Sequence, residues 1–409
     1  MQCDVAIVGG GLVGASLALA LSQLDLKVVL VEAHPFGVAG QPSFDDRTTA
    51  LSNGSRRIFE GIGVWPLIER EATPIRRIHV SDQGRFGFAR LDAQEQGLAA
   101  LGCVVVNRVM GAALWQQLAA REVTVLAPAR VTSVDLQEGA RTLQCQLGDD
   151  GFQTIEARLV IAADGAKSAV REAAGIGATS WDYDQMALVT NVFTQRFHDY
   201  VAYERFTAAG PLAVLPMSEG RSGLIWTLAP ALANEVAQLS DDDFLARLQQ
   251  EFGFRLGRFT RVGARQLYPL SLTRSDEHVG PRLAVVGNAA QALHPIAGQG
   301  FNLGLRDAAS LAEVLADARA QQADSFDAGD GALLDRYRSW READRGRIVG
   351  FTDGLVRLFT QPFGPAKLLR DVGLLAFDLM PAAKDALSQL SLGAAGRIPR
   401  LARGAKLRP

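Results

Sequence analysis

The chain has little cysteine: Cys3, Cys103 and Cys145 are the only three in 409 residues, and no two of them form a CxxC pair. That excludes a disulfide framework, a zinc ribbon and the dithiol centre of a disulfide reductase, and it fits a reducing, cytoplasmic setting. Histidine is also scarce. His34, His79, His198, His278 and His294 show no paired helical spacing, so no metal site is expected. Neither sign of charge is in excess, with 42 Lys plus Arg against 44 Asp plus Glu, which gives no reason to expect a nucleic-acid partner. No uninterrupted apolar stretch reaches the ~18 residues that a membrane-crossing helix needs. The apolar opening at residues 5–21 does not read as a secretory signal, because Asp4 precedes it, a basic leader is missing and three consecutive glycines interrupt it. Internal repeats and low-complexity tracts are missing as well. At 48% hydrophobic content, a chain of this length buries a large core and folds as one elaborated unit or two interleaved domains.

The order of patterns sets the fold class. A short apolar run at residues 4–8 ends in glycines, small and apolar residues follow at 12–24, and a second run occupies 27–31; this is a β-α-β unit. Residues 77–81 and 85–89 alternate as hairpin strands do, and 104–118 take a helical pattern. Strands return at 131–147 and 154–161, ending in the turn Ala163-Asp164-Gly165. Runs of β type dominate 186–228, with turns at Gly210-Pro211 and Glu219-Gly220. A helix at 241–252 is capped by Ser240 and the acids after it, a buried strand at 282–286 leads into a small-residue turn, and the pattern from 308 onward is helical. The expected class is α/β. A Rossmann-like nucleotide-binding domain is assembled from residues 1–75, 104–180 and 280–340. A mixed or antiparallel β-sheet substrate domain is inserted at 76–103 and 181–279, and a C-terminal helical segment with a basic tail occupies 341–409.

Three motifs carry chemistry. The first is Gly9-Gly-Gly11-Leu-Val-Gly14, directly after a strand and opening a helix, with Glu32 standing 23 residues beyond Gly9 at the end of the next strand. Glycines there let the backbone approach a pyrophosphate, the helix N-terminus supplies N–H donors, and the acid accepts from a ribose hydroxyl. An adenine dinucleotide is favoured over a mere tight turn, although FAD and NAD are not separated by this motif. The second is the buried strand that delivers Asp164-Gly165-Ala-Lys-Ser168-Ala-Val-Arg171, which alone reads as an ordinary turn. The third runs from Gly287-Asn288-Ala-Ala through His294-Pro295-Ile-Ala-Gly298-Gln-Gly300-Phe-Asn302-Leu-Gly304 into a helix carrying Asp307. Its backbone N–H groups would favour negative charge on a cofactor ring.

In this order, over roughly residues 4–318, the three motifs resemble the aromatic-hydroxylase group of FAD monooxygenases, the group of 4-hydroxybenzoate hydroxylase. Within it the chain is similar to the ubiquinone-biosynthesis hydroxylases, through Asp45-Asp-Arg47-Thr-Thr-Ala-Leu51, Asn107-Arg108, Glu204-Arg-Phe206 and Gly210-Pro-Leu-Ala-Val-Leu-Pro216-Met-Ser218. The stretch from Gly287 to Pro295 and Arg255-Leu-Gly257 look most like the members that hydroxylate a 2-polyprenyl-6-methoxyphenol at position 4. The resemblance implies a GR2-type FAD-binding domain. It places the ADP half of FAD on Gly9, Gly11, Leu12, Val13, Gly14, Glu32 and Ala33, and the pyrophosphate and ribityl region on Arg47, Asn107 and Asp164. Pro295, Gly298, Gln299, Gly300, Phe301 and Asn302 would line the isoalloxazine, with Val131, Gly287 and Asn288 as further cofactor contacts. Asn288 departs from the wider group, which has Asp there; an amide still bonds a ribityl hydroxyl but carries no charge.

The same resemblance implies a reaction. NAD(P)H reduces the flavin, the reduced flavin captures O2 as a C4a-hydroperoxide, and a phenol ring attacks its terminal oxygen. The protein must place the ring and exclude water, so an apolar pocket is expected. No second GxGxxG follows a strand, so NAD(P)H visits transiently. No catalytic side chain is identified: His294 reads as a structural imidazole, and the five tryptophans read as packing. Residues Ile348, Phe351, Leu355, Leu358 and Phe359, then Leu368, Val372, Leu375 and Leu379, recur at helical spacing ahead of Arg397, Arg400, Arg403, Lys406 and Arg408. This segment either packs on the parent domain or docks peripherally on anionic lipid at the inner membrane surface, where a prenylated phenol resides. The alternatives are a hydroxylase of another ring position or another aromatic, and a non-catalytic FAD-binding subunit of a biosynthetic complex. A flavin halogenase lacks support because no W-x-W-x-I-P segment occurs, and a homo-oligomer is only weakly suggested.

Overall fold

The computed structural model describes residues 1–35, 45–84, 88–148, 151–293, 298–322, 325–360 and 396–407, without the side chains of 348–349 and 351–360. Pro295 and His294, the expected strand residues 85–87, and the apolar repeats from Ile348 to Leu379 as side chains therefore lie outside the described residues.

Five strands form a parallel sheet in the order Leu283–Val285, Gly151–Ala162, Gln2–Val8, Val28–Val31, Val123–Leu126. Their runs are apolar on both faces, as a parallel sheet covered on both sides requires: Val5, Ala6 and Ile7 are fully buried, and so are Leu159, Val160 and Ile161. The helix Leu12–Leu21 is buried almost all round because the helices Asn107–Ala119 and Gln299–Gln322 pack on it. An antiparallel hairpin, Ala129–Gln137 with Ala140–Leu147, extends from the strand Gly151–Ala162.

A second, nine-stranded sheet is built round the 17-residue strand Ala178–Thr194 and runs out to Arg77–Asp82 and Phe88–Asp92. It is antiparallel except where Val201–Thr207 lies parallel to Arg77–Asp82. Its two faces differ by the period-two rule. Leu188, Val192, Leu212, Val214, Leu224 and Trp226 point one way and form a core with the helices Pro230–Gln238 and Asp241–Phe252. The latter helix begins where Ser240 accepts from Asp243 N at 3.2 Å, with Asp241, Asp242 and Asp243 against the positive helix end. The other face carries Ala187, Val189, Ala202, Glu204, Ala213, Leu215 and Ile225 toward a cavity.

A small antiparallel sheet, Thr48–Ser52 with Gly102–Val106 and Thr73–Ile75, lies between the two. It corrects one expectation. The helical pattern at 104–118 begins only at Asn107, because Val104, Val105 and Val106 pair with Ala50, Thr49 and Thr48, and three β-branched residues in a row favour the strand. Conversely the helix expected from 308 already starts at Gln299. Gly304 is tolerated there for a packing reason: a Cβ on it would stand 2.9 Å from Gly287 Cα.

Candidate functional site

The three motifs converge at the carboxyl ends of three neighbouring strands of the parallel sheet, Gln2–Val8, Gly151–Ala162 and Leu283–Val285. Gly9, at φ +107°, lies so close to the second motif that a Cβ would stand 2.4 Å from Ala163 O and 2.8 Å from Asp164 N. A Cβ on Gly14 would stand 1.9 Å from Gly9 O. Val13 fills the space over Gly287, which itself has φ +61°, so the first motif also touches the third. Arg171 completes the junction by donating to Ala289 O at 2.8 Å.

Glu32 holds the first loop in shape. Its Oε2 accepts from Gly10 N at 2.6 Å, its Oε1 accepts from His34 N at 2.8 Å, and the Trp115 indole donates to Gly10 O at 3.0 Å. Each carboxylate oxygen has two lone pairs, so Glu32 keeps acceptor capacity toward the cavity it lines. Asp164 likewise organises its own turn: it accepts from the Ser168 hydroxyl and from Val170 N at 3.2 Å, the start of the helix Ala169–Ala173.

The small sheet brings Arg47 and Asn107 side by side, since Asn107 N donates to Arg47 O at 2.9 Å. Asp45 is the hub of this corner. It pairs with Arg47 Nε at 2.6 Å and accepts from Asn107 Nδ2 at 3.4 Å and from the Tyr268 hydroxyl at 3.3 Å, while the Arg47 guanidinium lies 4.6 Å over the Tyr268 ring. Asp45 was visible only as part of a family-like motif, and Tyr268 carried no sequence signal.

These groups open on one cavity of about 1160 Å³. At one end it is lined by Gly9, Gly11, Leu12, Val13, Glu32, Ala33, Arg47, Asn107, Val131, Asp164, Asn288, Gly298, Gly300 and Phe301. At the other it runs along the open face of the nine-stranded sheet. Other expected contacts are buried outside this lining. Gly14 and Gly287 serve close packing, and Gln299 is 4% exposed. Asn302 is used internally: Oδ1 accepts from Ser52 N and Ser55 Oγ, and Nδ2 donates to Ala50 O and Gly298 O. Pro295 lies outside the described residues.

The site suits a dinucleotide. Gly11 is the N-cap of the helix Leu12–Leu21, no side chain caps it, and it faces the cavity, so first-turn N–H groups remain for a pyrophosphate. Residues 2–352 match the family described as FAD binding domain. The "Ubiquinone hydroxylase UbiL" of Rhodospirillum rubrum is 40% identical over 412 residues, which cover 99% of this chain and 93% of that protein. The chain belongs to the FAD-dependent ubiquinone-biosynthesis hydroxylase family. The Escherichia coli "3-demethoxyubiquinol 3-hydroxylase" is 33% identical across 95% of this chain and 98% of its own length. The human "Ubiquinone biosynthesis monooxygenase COQ6, mitochondrial" is 31% identical across 93% and 91%. Among solved structures, p-nitrophenol 4-monooxygenase PnpA from Pseudomonas putida shares the fold with a TM-score of 0.78 at 21% identity, covering 97% of this chain and 99% of that one. This family member is thus an FAD-dependent monooxygenase.

Behind the site, a buried ionic network fastens the helix Gln299–Gln322 to the helix Gly331–Thr360. Asp307 accepts from Arg341 Nε at 2.9 Å and from Gln291 Nε2 at 2.9 Å, and it pairs with Arg345 at 3.2 Å. Burial pushes the Asp307 carboxyl up, but Arg345 and Arg341 outweigh it and bring it down to about 2. Burial, reinforced by Arg345, brings neighbouring His278 down to about 3. The network positions the helix and does not face the cavity.

Proposed function

We propose that the enzyme hydroxylates the ring of a prenylated methoxyphenol in ubiquinone biosynthesis, with NAD(P)H and O2 as co-substrates. The observation that carries this reading is the continuity of the cavity, from the dinucleotide end to a sheet face of Ala187, Val189, Ala213, Leu215, Ile225 and Leu270. Bound FAD, held by the first-motif backbone, Glu32 and the Asp45–Arg47–Asn107 corner, supplies the redox chemistry that activates O2. The chain's own part is to seat an aromatic ring on the apolar face and keep water from the reacting atoms. Apolar walls do both, because a ring with a prenyl chain gains roughly 25 cal/mol per Å² of apolar surface removed from water.

The relatives named for ubiquinone biosynthesis support the pathway, and the likeness of residues 287–295 and 255–257 supports position 4 of a 2-polyprenyl-6-methoxyphenol. Docking at the inner membrane surface would bring the site to such a substrate. To test the reading, purified FAD-loaded enzyme is given a short-chain 2-prenyl-6-methoxyphenol with NADH or NADPH in air, and products are analysed by mass spectrometry. A product one oxygen atom heavier, hydroxylated para to the phenol oxygen, is expected. Hydroxylation at another position would reassign the substrate within the family, and NAD(P)H oxidation yielding only hydrogen peroxide would reject this phenol.

A further inference from the structure

The substrate face of the cavity carries one carboxyl group for which neither the cofactor site nor the fold has a use. Glu204 sits mid-strand in Val201–Thr207, opposite Ala213 on one side and Val80 on the other. Strand alternation sends its neighbours to the opposite, helix-covered face: the Tyr203 ring packs edge-on to Phe252, and Arg205 donates to Glu251 O at 2.8 Å. Glu204 itself points with Ala202, Ala213 and Leu215 into the cavity. It forms no hydrogen bond or ion pair among the described residues.

Such a placement is costly unless a ligand meets the group. The adjoining strands offer Ile78, Val80, Ala213 and Leu215, with no charge on the cavity side. The charged groups Glu32, Arg47, Arg130, Asp164 and Lys167 line the cofactor end of the cavity and do not shift Glu204. Facing the cavity and half-buried there, the carboxyl is raised by burial to about 7, where it changes protonation state at working pH.

We propose that Glu204 is the general base of the hydroxylation, accepting the ring O–H of the bound phenol and taking its proton as the ring carbon attacks the oxygen delivered at the flavin. This rests on the phenol reading above. The O–H electron pair enters the ring, the ring carbon forms the new C–O bond, and the O–O bond breaks with its electron pair going to the departing oxygen. That carbon then loses its hydrogen as a proton, which the departing oxygen takes up on its way to water; aromaticity is restored, and Glu204 returns its proton to the ring oxygen. Over the cycle, O2 receives electrons from the ring and from NAD(P)H; one of its atoms enters the ring and the other leaves as water.

The test uses FAD-loaded enzyme without NAD(P)H, so that nothing turns over. A short-chain 2-prenyl-6-methoxyphenol and its methyl ether are titrated at a series of pH values, and binding is read from the perturbed flavin absorbance. A phenol that donates to a carboxylate binds better as that carboxylate ionises. Its affinity therefore rises about tenfold as pH climbs to about 7 and levels off above it. The ether, which has no proton to give, shows no rise. In Glu204→Gln the phenol curve becomes as flat as the ether's, while Glu204→Asp keeps the rise; flavin content shows that each variant is folded. Should Glu204→Gln fail to bind FAD, the wild-type comparison of phenol with ether and the Glu204→Asp curve decide. A rise that persists in Glu204→Gln, or that the ether shares in the wild type, overturns the role of Glu204 and leaves the substrate reading standing. Failure of both compounds to bind removes the substrate reading and this proposal together.

Discussion

The Ser55 hydroxyl donates a 2.7 Å hydrogen bond to Asn302 Oδ1, joining the first turn of the helix Asn53–Gly61 to the first turn of the helix Gln299–Gln322. The same oxygen accepts from Ser52 N, and the amide nitrogen donates to Ala50 O and Gly298 O. One side chain therefore fixes where Gly298 and Phe301 stand on the cavity wall. Asn302→Ala leaves buried donors and acceptors unpaired and should cost about 2–4 kcal/mol in urea unfolding, with FAD dissociating faster. Ser55→Ala removes one hydrogen bond and should cost about 1 kcal/mol.

Glycines of the first and third motifs separate by what surrounds them. A Cβ at Gly14 would lie 1.9 Å from Gly9 O, so Gly14→Ala must displace backbone; a loss of about 3 kcal/mol and little bound flavin are expected. Gly300 has nothing within 4 Å of an added Cβ yet lines the cavity. Gly300→Ala should keep apoprotein stability, or raise it by up to about 1 kcal/mol through helix propensity, while weakening FAD binding. Thermal unfolding of apoprotein beside FAD titration distinguishes the two, and equal effects at both positions would contradict the packing argument.

Acid should unfold the protein in two stages. His278 is held well below its ordinary value, to about 3, so the unfolded chain binds its proton first and the contribution of His278 falls as pH drops below about 6.5 toward 3, while Glu204, raised to about 7, acts with the opposite sign as pH falls through 7. Asp307 is lowered from 3.8 to about 2, so its contribution is complete above about pH 4 and is lost as pH falls through 2. His278→Asn should flatten the first stage in pH-dependent urea unfolding. Asp307→Asn should cost about 3–5 kcal/mol at neutral pH, because Arg345 loses its buried carboxylate and Arg341 is left with Asp344 alone.

What the sequence disclosed was local. The three turns could be read because each is a short string in which glycine is demanded by the backbone, and the layout of parallel and inserted sheets followed from run lengths and turn residues. What stayed hidden depends on partners far along the chain. Asn302 reads as a cofactor residue, and nothing in its local string shows that Ser52 and Ser55 hydrogen-bond to it. Trp115 reads as plain core, yet its indole holds Gly10 O. Glu204 stood in a recognisable string, but whether it points to helices or to a cavity is set by the register with Ala213 and Val80.

The basic tail shows the same limit and yields the last prediction. Five positive residues with no acid after Asp385 suggest a lipid-binding surface, but the acids that answer two of them, Arg397 and Arg400, lie upstream on the helix Gln299–Gln322. Arg400 pairs with Asp317 and Glu313, Arg397 reaches Glu313 at 3.6 Å and lies 3.9 Å over the Trp340 ring, and Trp340 Nε1 donates to Arg397 O at 2.9 Å. Leu401 and Leu407 are each 1% exposed, and Leu401 fills the space over Gly61. A chain ending at residue 395 should thus lose several kcal/mol, since burying one leucine alone is worth about 2 kcal/mol. Reduced liposome binding by such a truncation would report unfolding and not lipid recognition. Arg403 and Lys406 are exposed, so Arg403→Glu with Lys406→Glu should leave thermal unfolding within about 0.5 kcal/mol of wild type. If the tail docks on anionic membrane, this pair of substitutions lowers sedimentation with phosphatidylglycerol vesicles by at least tenfold, given ~1 kcal/mol for each basic residue and repulsion from each new acid. Unchanged sedimentation would mean that the tail is a strap on the parent domain and nothing more.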